Sequence, residues 1–254
     1  MDMVVDINID CSDLPKVDIV KSRNAHFILF KGNDNISMGI RHHNGHDVDV
    51  EQVARLVLDN STDGIVLDIG ANLGSFSVPL AIDYPKFNFF GFEPQRVIYY
   101  QFCGNIIINS LKNINAYNFG LGDESFCSSF DIPNYKTERI IGGFSIDEEI
   151  RSNGYECASV GGSQLINVVT LDSLNIDNIR LVKIDVEGFE LQVLKGSLQT
   201  LKNSGYPPIL FEAWDWKFHE RRAELIEFIE SLGYNISSFG NNHLAQYAIL
   251  SYDV

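Results

Sequence analysis

Basic side chains are scarce: 19 Lys and Arg stand against 34 Asp and Glu in 254 residues, a formal net charge of -15. Binding to nucleic acid without regard to sequence needs clustered Lys and Arg on the phosphates, so no nucleic-acid partner is expected. Cysteine is also sparse. The four, Cys11, Cys103, Cys127 and Cys157, form no Cys-x-x-Cys pair, which argues against a zinc ribbon or a disulfide scaffold and for buried thiols in a reducing compartment. No apolar run approaches the ~20 residues that cross a bilayer, so no membrane span is expected. The acidic start Met1-Asp2-Met3-Val4-Val5-Asp6 lacks the basic flank and apolar stretch of a secretory signal. A cytoplasmic protein is the expectation.

What is present is an ordinary apolar content of 45%, enough in a chain of this length for a full α/β core. Residues 1–50 differ in character from the rest. His26–Phe30 and Ile36–Arg41 read as two strands around the turn-rich Lys31-Gly32-Asn33-Asp34-Asn35, a hairpin that would form a small N-terminal cap. The nearby His42, His43 and His46 read as ordinary surface histidines. Residues 51–254 would form the main domain.

From residue 50 onward strand and helix alternate. Strands are expected near 65–69, 88–93, 114–119, 180–186, 208–213, 234–239 and 245–251, with helices near 50–59, 74–83, 95–110, 189–202 and 218–232. This predicts an α/β fold with a mostly parallel seven-stranded sheet covered on both faces. The last two strands are joined only by Gly240-Asn241-Asn242-His243, too short for a crossover, so the final strand should be antiparallel. Residues 123–170 interrupt the alternation, with one extra strand over Ser125–Ile132 and turns at Gly142-Gly143 and Gly161-Gly162.

Four strand ends carry chemistry. Asp68-Ile69-Gly70-Ala71-Asn72-Leu73-Gly74 is a glycine turn between strand and helix, but Asn72 stands where a dinucleotide site needs the glycine that lets pyrophosphate approach the backbone. S-adenosylmethionine has no phosphate, and its cationic amino group would suit Asp68. Glu93 ends the next strand, placed to accept both ribose hydroxyls. Alternation puts Lys183, Asp185 and Glu187 of Lys183-Ile184-Asp185-Val186-Glu187-Gly188-Phe189-Glu190 on one side. Glu212 ends the adjacent strand, and two carboxylates converging there either bind a divalent cation or share a proton.

These residues resemble the FkbM-type S-adenosylmethionine-dependent methyltransferases. The resemblance rests on Val66–Gly74, Phe92-Glu93-Pro94 with Asn105 and Asn109 downstream, Val169-Thr170-Leu171-Asp172-Ser173-Leu174, Leu181–Gly196 and Ile209-Leu210-Phe211-Glu212. It implies a class I (Rossmann-like) methyltransferase fold and O-methylation of a sugar, glycolipid or polyketide-type hydroxyl, often in fusion with a glycosyltransferase. The partner would be a small-molecule or glycan acceptor. Cofactor contacts are expected from Asp68, Gly70, Asn72, Gly74, Glu93, Pro94, Gly120 and Leu121. Asp185, Glu187, Glu212 and Lys183 are the expected catalytic set: Glu187 as general base, Lys183 orienting the acids, and Asp185 with Glu212 near the hydroxyl, through Mg2+ or Mn2+ if a metal takes part. A nicotinamide dehydrogenase is disfavoured by Asn72 and by the lack of a Tyr-x-x-x-Lys pair. A silent binding module would not need the three acids.

Overall fold

The computed structural model describes residues 16–32, 34–135, 145–152, 159–213 and 219–247. The chain opens with a hairpin, β1 (Val17–Ser22) and β2 (Ala25–Phe30), followed by α1 (Asn35–His42) and α2 (Val48–Leu58). The hairpin thus forms one strand earlier than expected, around Arg23-Asn24, and Ile36–Arg41 is helical. Ile36 and Ile40 both pack on the core, a spacing that suits either period. Asp34 decides between them, because its carboxylate accepts from the Ser37 amide at 2.8 Å and caps the helix.

The alternating region runs β3 (Gly64–Ile69), α3 (Ser77–Asp83), β4 (Phe87–Phe92), α4 (Arg96–Ile108) and β5 (Ile114–Tyr117). An insertion follows, with β6 (Gly120–Leu121), β7 (Phe126–Pro133), α5 (Glu148–Ser152) and β8 (Ser159–Val169). The chain then continues through β9 (Ile179–Ile184), α6 (Glu190–Lys195), α7 (Leu198–Asn203), β10 (Ile209–Glu212), α8 (His219–Ser231), β11 (Tyr234–Phe239) and β12 (Asn242–Tyr247). The main sheet has seven strands in the order β11-β12-β10-β9-β3-β4-β5, and only β12 opposes its neighbours. This is the class I methyltransferase fold.

Several local expectations are corrected. Asn242 and His243 belong to β12, because Phe239 pairs with Asn242 around the two-residue turn Gly240-Asn241. Gly161 and Gly162 lie within β8 at φ of 85° and 83°, beside a register shift between Asp131 and Pro133. They bend a strand that the sequence presents as a turn. Gly142-Gly143 and residues 248–251 of the expected last strand lie outside the described residues. The helix expected over 189–202 is broken at Gly196-Ser197. A Cβ on Gly196 would come 1.9 Å from the Gly122 carbonyl oxygen, and its own carbonyl accepts from the Asp172 amide. Asp172 in turn caps α7, accepting from the amides of Gln199 and Thr200 at 3.1 and 2.7 Å.

The hairpin is tied to the main sheet's layer. Ala25, Phe27 and Leu29 share one core with Val66, Phe89 and Phe102. Along α4, Gln101, Asn105 and Asn109 recur every four residues on one face. Gln101 donates to the Ile28 carbonyl at 2.6 Å, Asn105 accepts from the Ile28 amide at 2.6 Å, and Asn109 bonds both backbone groups of His26 at 2.8 and 2.7 Å. Three side-chain amides thereby take the place of a neighbouring strand. The boundary expected at 50/51 falls inside α2. No helix among the described residues is long and apolar enough to cross a membrane.

Candidate functional site

The carboxyl ends of β3, β4, β9 and β10 meet along one edge of the sheet, where a doubly wound fold binds its ligands. After β3 the chain turns through Gly70 (φ 82°) and Asn72 (φ 50°). The Asn72 amide donates to Glu93 Oε2 at 3.0 Å and the Gln95 amide to Glu93 Oε1 at 2.8 Å. Glu93 is buried, and burial pushes its carboxyl up to about 7 against the pull of those two amides. Each carboxylate oxygen has two acceptor positions, so one on each remains for a vicinal diol. Pro94 lies beside Gly120, whose Cβ would come 3.8 Å from the Pro94 Cβ and 2.6 Å from Ile146 Cδ1. At Gly74 a Cβ would strike the Phe102 ring at 2.4 Å. Leu121 is buried in the core with Ile69 and Phe92.

Asp68, the residue expected to receive the cofactor's amino group, is fully buried. Its Oδ2 accepts from Ser77 Oγ at 2.5 Å, and its Oδ1 lies 3.6 Å from Lys183 Nζ. In this arrangement the carboxylate faces protein. Burial pushes its pKa up, and Lys183 and Ser77 oppose that shift.

Lys183 joins the two motifs. Its Nζ donates to the Gly70 carbonyl at 3.3 Å and to Asp185 Oδ2 at 3.1 Å. Burial alone would lower its pKa, but the carboxylates of Asp185, Asp68 and Asp47 raise it, so the ammonium is permanent near neutrality. Glu187 sits in the left-handed region at φ 56°. Burial first, then the charges of Asp185, Glu212 and Glu190, hold its carboxyl well above the usual range. The structure therefore brings Lys183, Asp185, Glu187 and Glu212 into one electrostatic neighbourhood. Residues 214–218, which follow Glu212 and Ala213, lie outside the described residues.

Two features escape the sequence reading. Glu190 is the strut of the motif: its Oε1 accepts from the Val186 and Gly188 amides, each at 3.1 Å, which fixes the turn that carries Glu187. The other is the loop before α2. There Asp47, at φ 48°, lies 3.3 Å from His46 Nε2. Burial pushes the Asp47 carboxyl up, and the charges of His46, Asp185 and Lys183 act on it.

The divalent cation expected at Asp185 and Glu212 finds no suitable donor set. Among the described residues no three His, Cys, Asp or Glu side chains come together to hold a metal, and the Lys183 ammonium already neutralises Asp185.

The methyltransferase FkbM domain model matches residues 68–236. The methyltransferase sdnD of Sordaria araneosa is 29% identical over 158 residues, 52% of this chain and 59% of that protein. The hexuronic acid methyltransferase AglP of Haloferax volcanii is 27% identical over 161 residues, 61% of this chain and 59% of that protein. The chain thus spans 59% of the length of each of these curated relatives. Among solved structures, a precorrin-6y C5,15-methyltransferase from Geobacter metallireducens superposes with a TM-score of 0.47 at 15% identity, covering 79% of this chain and 88% of that one. With the model matched over residues 68–236, from the glycine turn to the penultimate strand, the chain belongs to the FkbM-domain family of S-adenosylmethionine-dependent methyltransferases.

Proposed function

We propose that this domain transfers the methyl group of S-adenosylmethionine to a hydroxyl oxygen of a sugar or related small molecule. The observation that carries the reading is the Lys183–Asp185–Glu187 group at the end of β9, next to a glycine turn whose Asn72 amide holds the Glu93 carboxylate. The sugar acceptor draws support from the hexuronic acid methyltransferase among the relatives.

The cofactor supplies, when bound, an electrophilic methyl group on a sulfonium. Glu93 offers two acceptor positions to the ribose diol, and the Gly70–Gly74 turn bounds the same crevice. An alcohol is a weak nucleophile because its pKa lies far above neutrality, so a base that takes its proton as the oxygen attacks contributes about 10²–10⁴ in rate. Glu187 suits that role, because a carboxyl raised from its ordinary value is a stronger base once ionised. Lys183 holds Asp185 in place, and Glu190 holds the turn. Orienting the hydroxyl contributes more, on the order of 7–11 kcal/mol for a well-aligned pair.

The test separates binding from chemistry. Glu187→Gln and Asp185→Asn should bind S-adenosylhomocysteine nearly as well as the parent by calorimetry. They should lower methyl transfer to short oligosaccharides, read by mass spectrometry, by two orders of magnitude or more. Cofactor binding that collapses while saturated turnover survives would make the acids structural and misplace the site.

A further inference from the structure

A cavity of about 370 Å³ opens beside the acid group, over the ends of β9 and β10. That volume lies at the small end of the ~300–1,000 Å³ range of small-ligand pockets. Gly188, which follows the proposed base, lines it, and so does Glu212, whose charge acts on Glu187. Glu93 ends β4, two strands away from β9 in the order β10-β9-β3-β4. The crevice expected to hold cofactor and this cavity therefore flank the end of β9 on opposite sides. The cavity reaches the turn that carries Glu187 through Gly188 and Glu190, which line it.

The walls say what fits. Ile150 of α5 packs so tightly on the motif that a Cβ on Gly188 would come 2.1 Å from its Cδ1. Arg221, at the start of α8, pairs with Asp147 at 2.7 Å and also with Glu149, clasping the insertion over the cavity's rim. Around the cavity Glu149, Glu190, Glu212 and Glu224 stand against Arg221 and Arg222. Carboxylates outnumber guanidinium groups, Arg221 is held by Asp147 and Glu149, and Arg222 lies 3.3 Å from His243 Nε2. An anion entering here would be repelled. Hydroxyl groups, which both donate and accept, match a lining of carboxylates, guanidinium groups and an amide.

We propose that this cavity is the acceptor pocket and that it takes a polyhydroxylated ring bearing no negative charge, so that the acceptor class differs from the uronic acid named for one relative. This rests on the methyltransferase reading above.

The experiment uses saturation-transfer NMR on the full chain with S-adenosylhomocysteine bound. The probes are paired methyl hexosides and methyl hexuronides of the gluco, galacto and manno series. Neutral hexosides should bind at least fivefold more tightly than their uronides. Leu191→Trp, which fills the cavity, should abolish hexoside binding and leave S-adenosylhomocysteine affinity unchanged. Glu224→Arg alters an exposed side chain on the rim and should shift the preference several-fold toward uronides. Uronides binding as tightly as hexosides would overturn the proposal. So would the absence of binding by any hexoside, hexoside binding that persists in Leu191→Trp, or an unshifted preference in Glu224→Arg. Failure to bind S-adenosylhomocysteine at all would instead overturn the cofactor reading.

Discussion

The carbonyl oxygen of Asp185 occupies the space where a side chain on Gly70 would begin: a Cβ at Gly70 lies 1.8 Å from it. β3 and β9 are parallel neighbours, and the Asp185 amide donates to the Ile69 carbonyl at 2.9 Å just past the paired strands. The glycine of the first motif is thus demanded by the backbone of the second as well as by its own φ of 82°. Gly70→Ala should push the two strand ends apart. A positive φ on alanine costs about 1–3 kcal/mol, and overpacking adds about 1–3 kcal/mol. Urea denaturation should show a loss of this order together with a loss of S-adenosylhomocysteine binding by calorimetry. Stability within about 0.5 kcal/mol of the parent would show that the contact yields.

Glu190 makes stability depend on pH in a definite sense. Burial, opposed by the Gly188 and Val186 amides, raises its folded pKa to about 7 from an ordinary 4.5. Between those values the folded chain keeps a proton that the unfolded chain has released. Its contribution is therefore full below about 4.5 and falls as pH rises through about 7, by at most about 3 kcal/mol. Glu190→Gln keeps the single oxygen that accepts both amides and removes the titration. Unfolding free energies measured from pH 5 to 8 should decline less in Glu190→Gln than in the parent. Parallel curves would mean that Glu190 titrates normally.

Glu93 couples pH to cofactor affinity through the same physics. With its pKa pushed to about 7 by burial, the carboxylate that accepts a diol is half-formed near neutrality. Affinity for S-adenosylhomocysteine should weaken below pH 7 and approach a tenfold loss per unit at lower pH. A flat profile from pH 5.5 to 8 would remove Glu93 from the ribose.

The sheet and the acids were legible because both are local signals. Buried strands such as Ile65–Ile69 and Leu181–Ile184 are short apolar runs with helices between them, and Asp68, Glu93, Asp185 and Glu212 fall at or just past strand ends. What the sequence hid depends on distant partners. Ile36 and Ile40 fit either period until Asp34 is seen as a cap. Gly196 breaks a helix because Gly122 lies against it. The place of Asp47 beside Lys183 and Asp185 follows from how α2 packs against β9, which no spacing encodes. Asn105 and Asn109 could be matched to a family, but their role appears only with β2 alongside.

That role gives a prediction for Asn105. Its side chain is fully buried, accepting from the Ile28 amide at 2.6 Å and donating to the Leu73 carbonyl at 2.8 Å. It therefore binds the hairpin to the glycine turn through α4. Asn105→Leu leaves two backbone groups without these partners, at a cost of about 1–3 kcal/mol each. Hydrogen exchange at Ile28 should accelerate, the hairpin loosening before the main sheet. Unchanged protection there would show that apolar packing alone holds the hairpin.

Lys183 supplies the positive charge that a divalent cation was expected to bring. Its ammonium lies 3.1 Å from Asp185 Oδ2 and 3.6 Å from Asp68 Oδ1, and Asp68 has no exposure to solvent. Removing the cation leaves a buried carboxylate uncompensated, typically a loss of 3–5 kcal/mol. Asp68 would then take up a proton more readily, since Lys183 is what opposes the effect of burial on it. Lys183→Met should accordingly be markedly less stable than the parent at pH 8 and recover part of the difference at pH 5.5. The parent's methyl transfer should meanwhile withstand excess chelator. Activity that falls with chelator and returns with Mg2+ or Mn2+, in a protein whose Lys183→Met variant keeps its stability, would place a metal where the ammonium is now assigned.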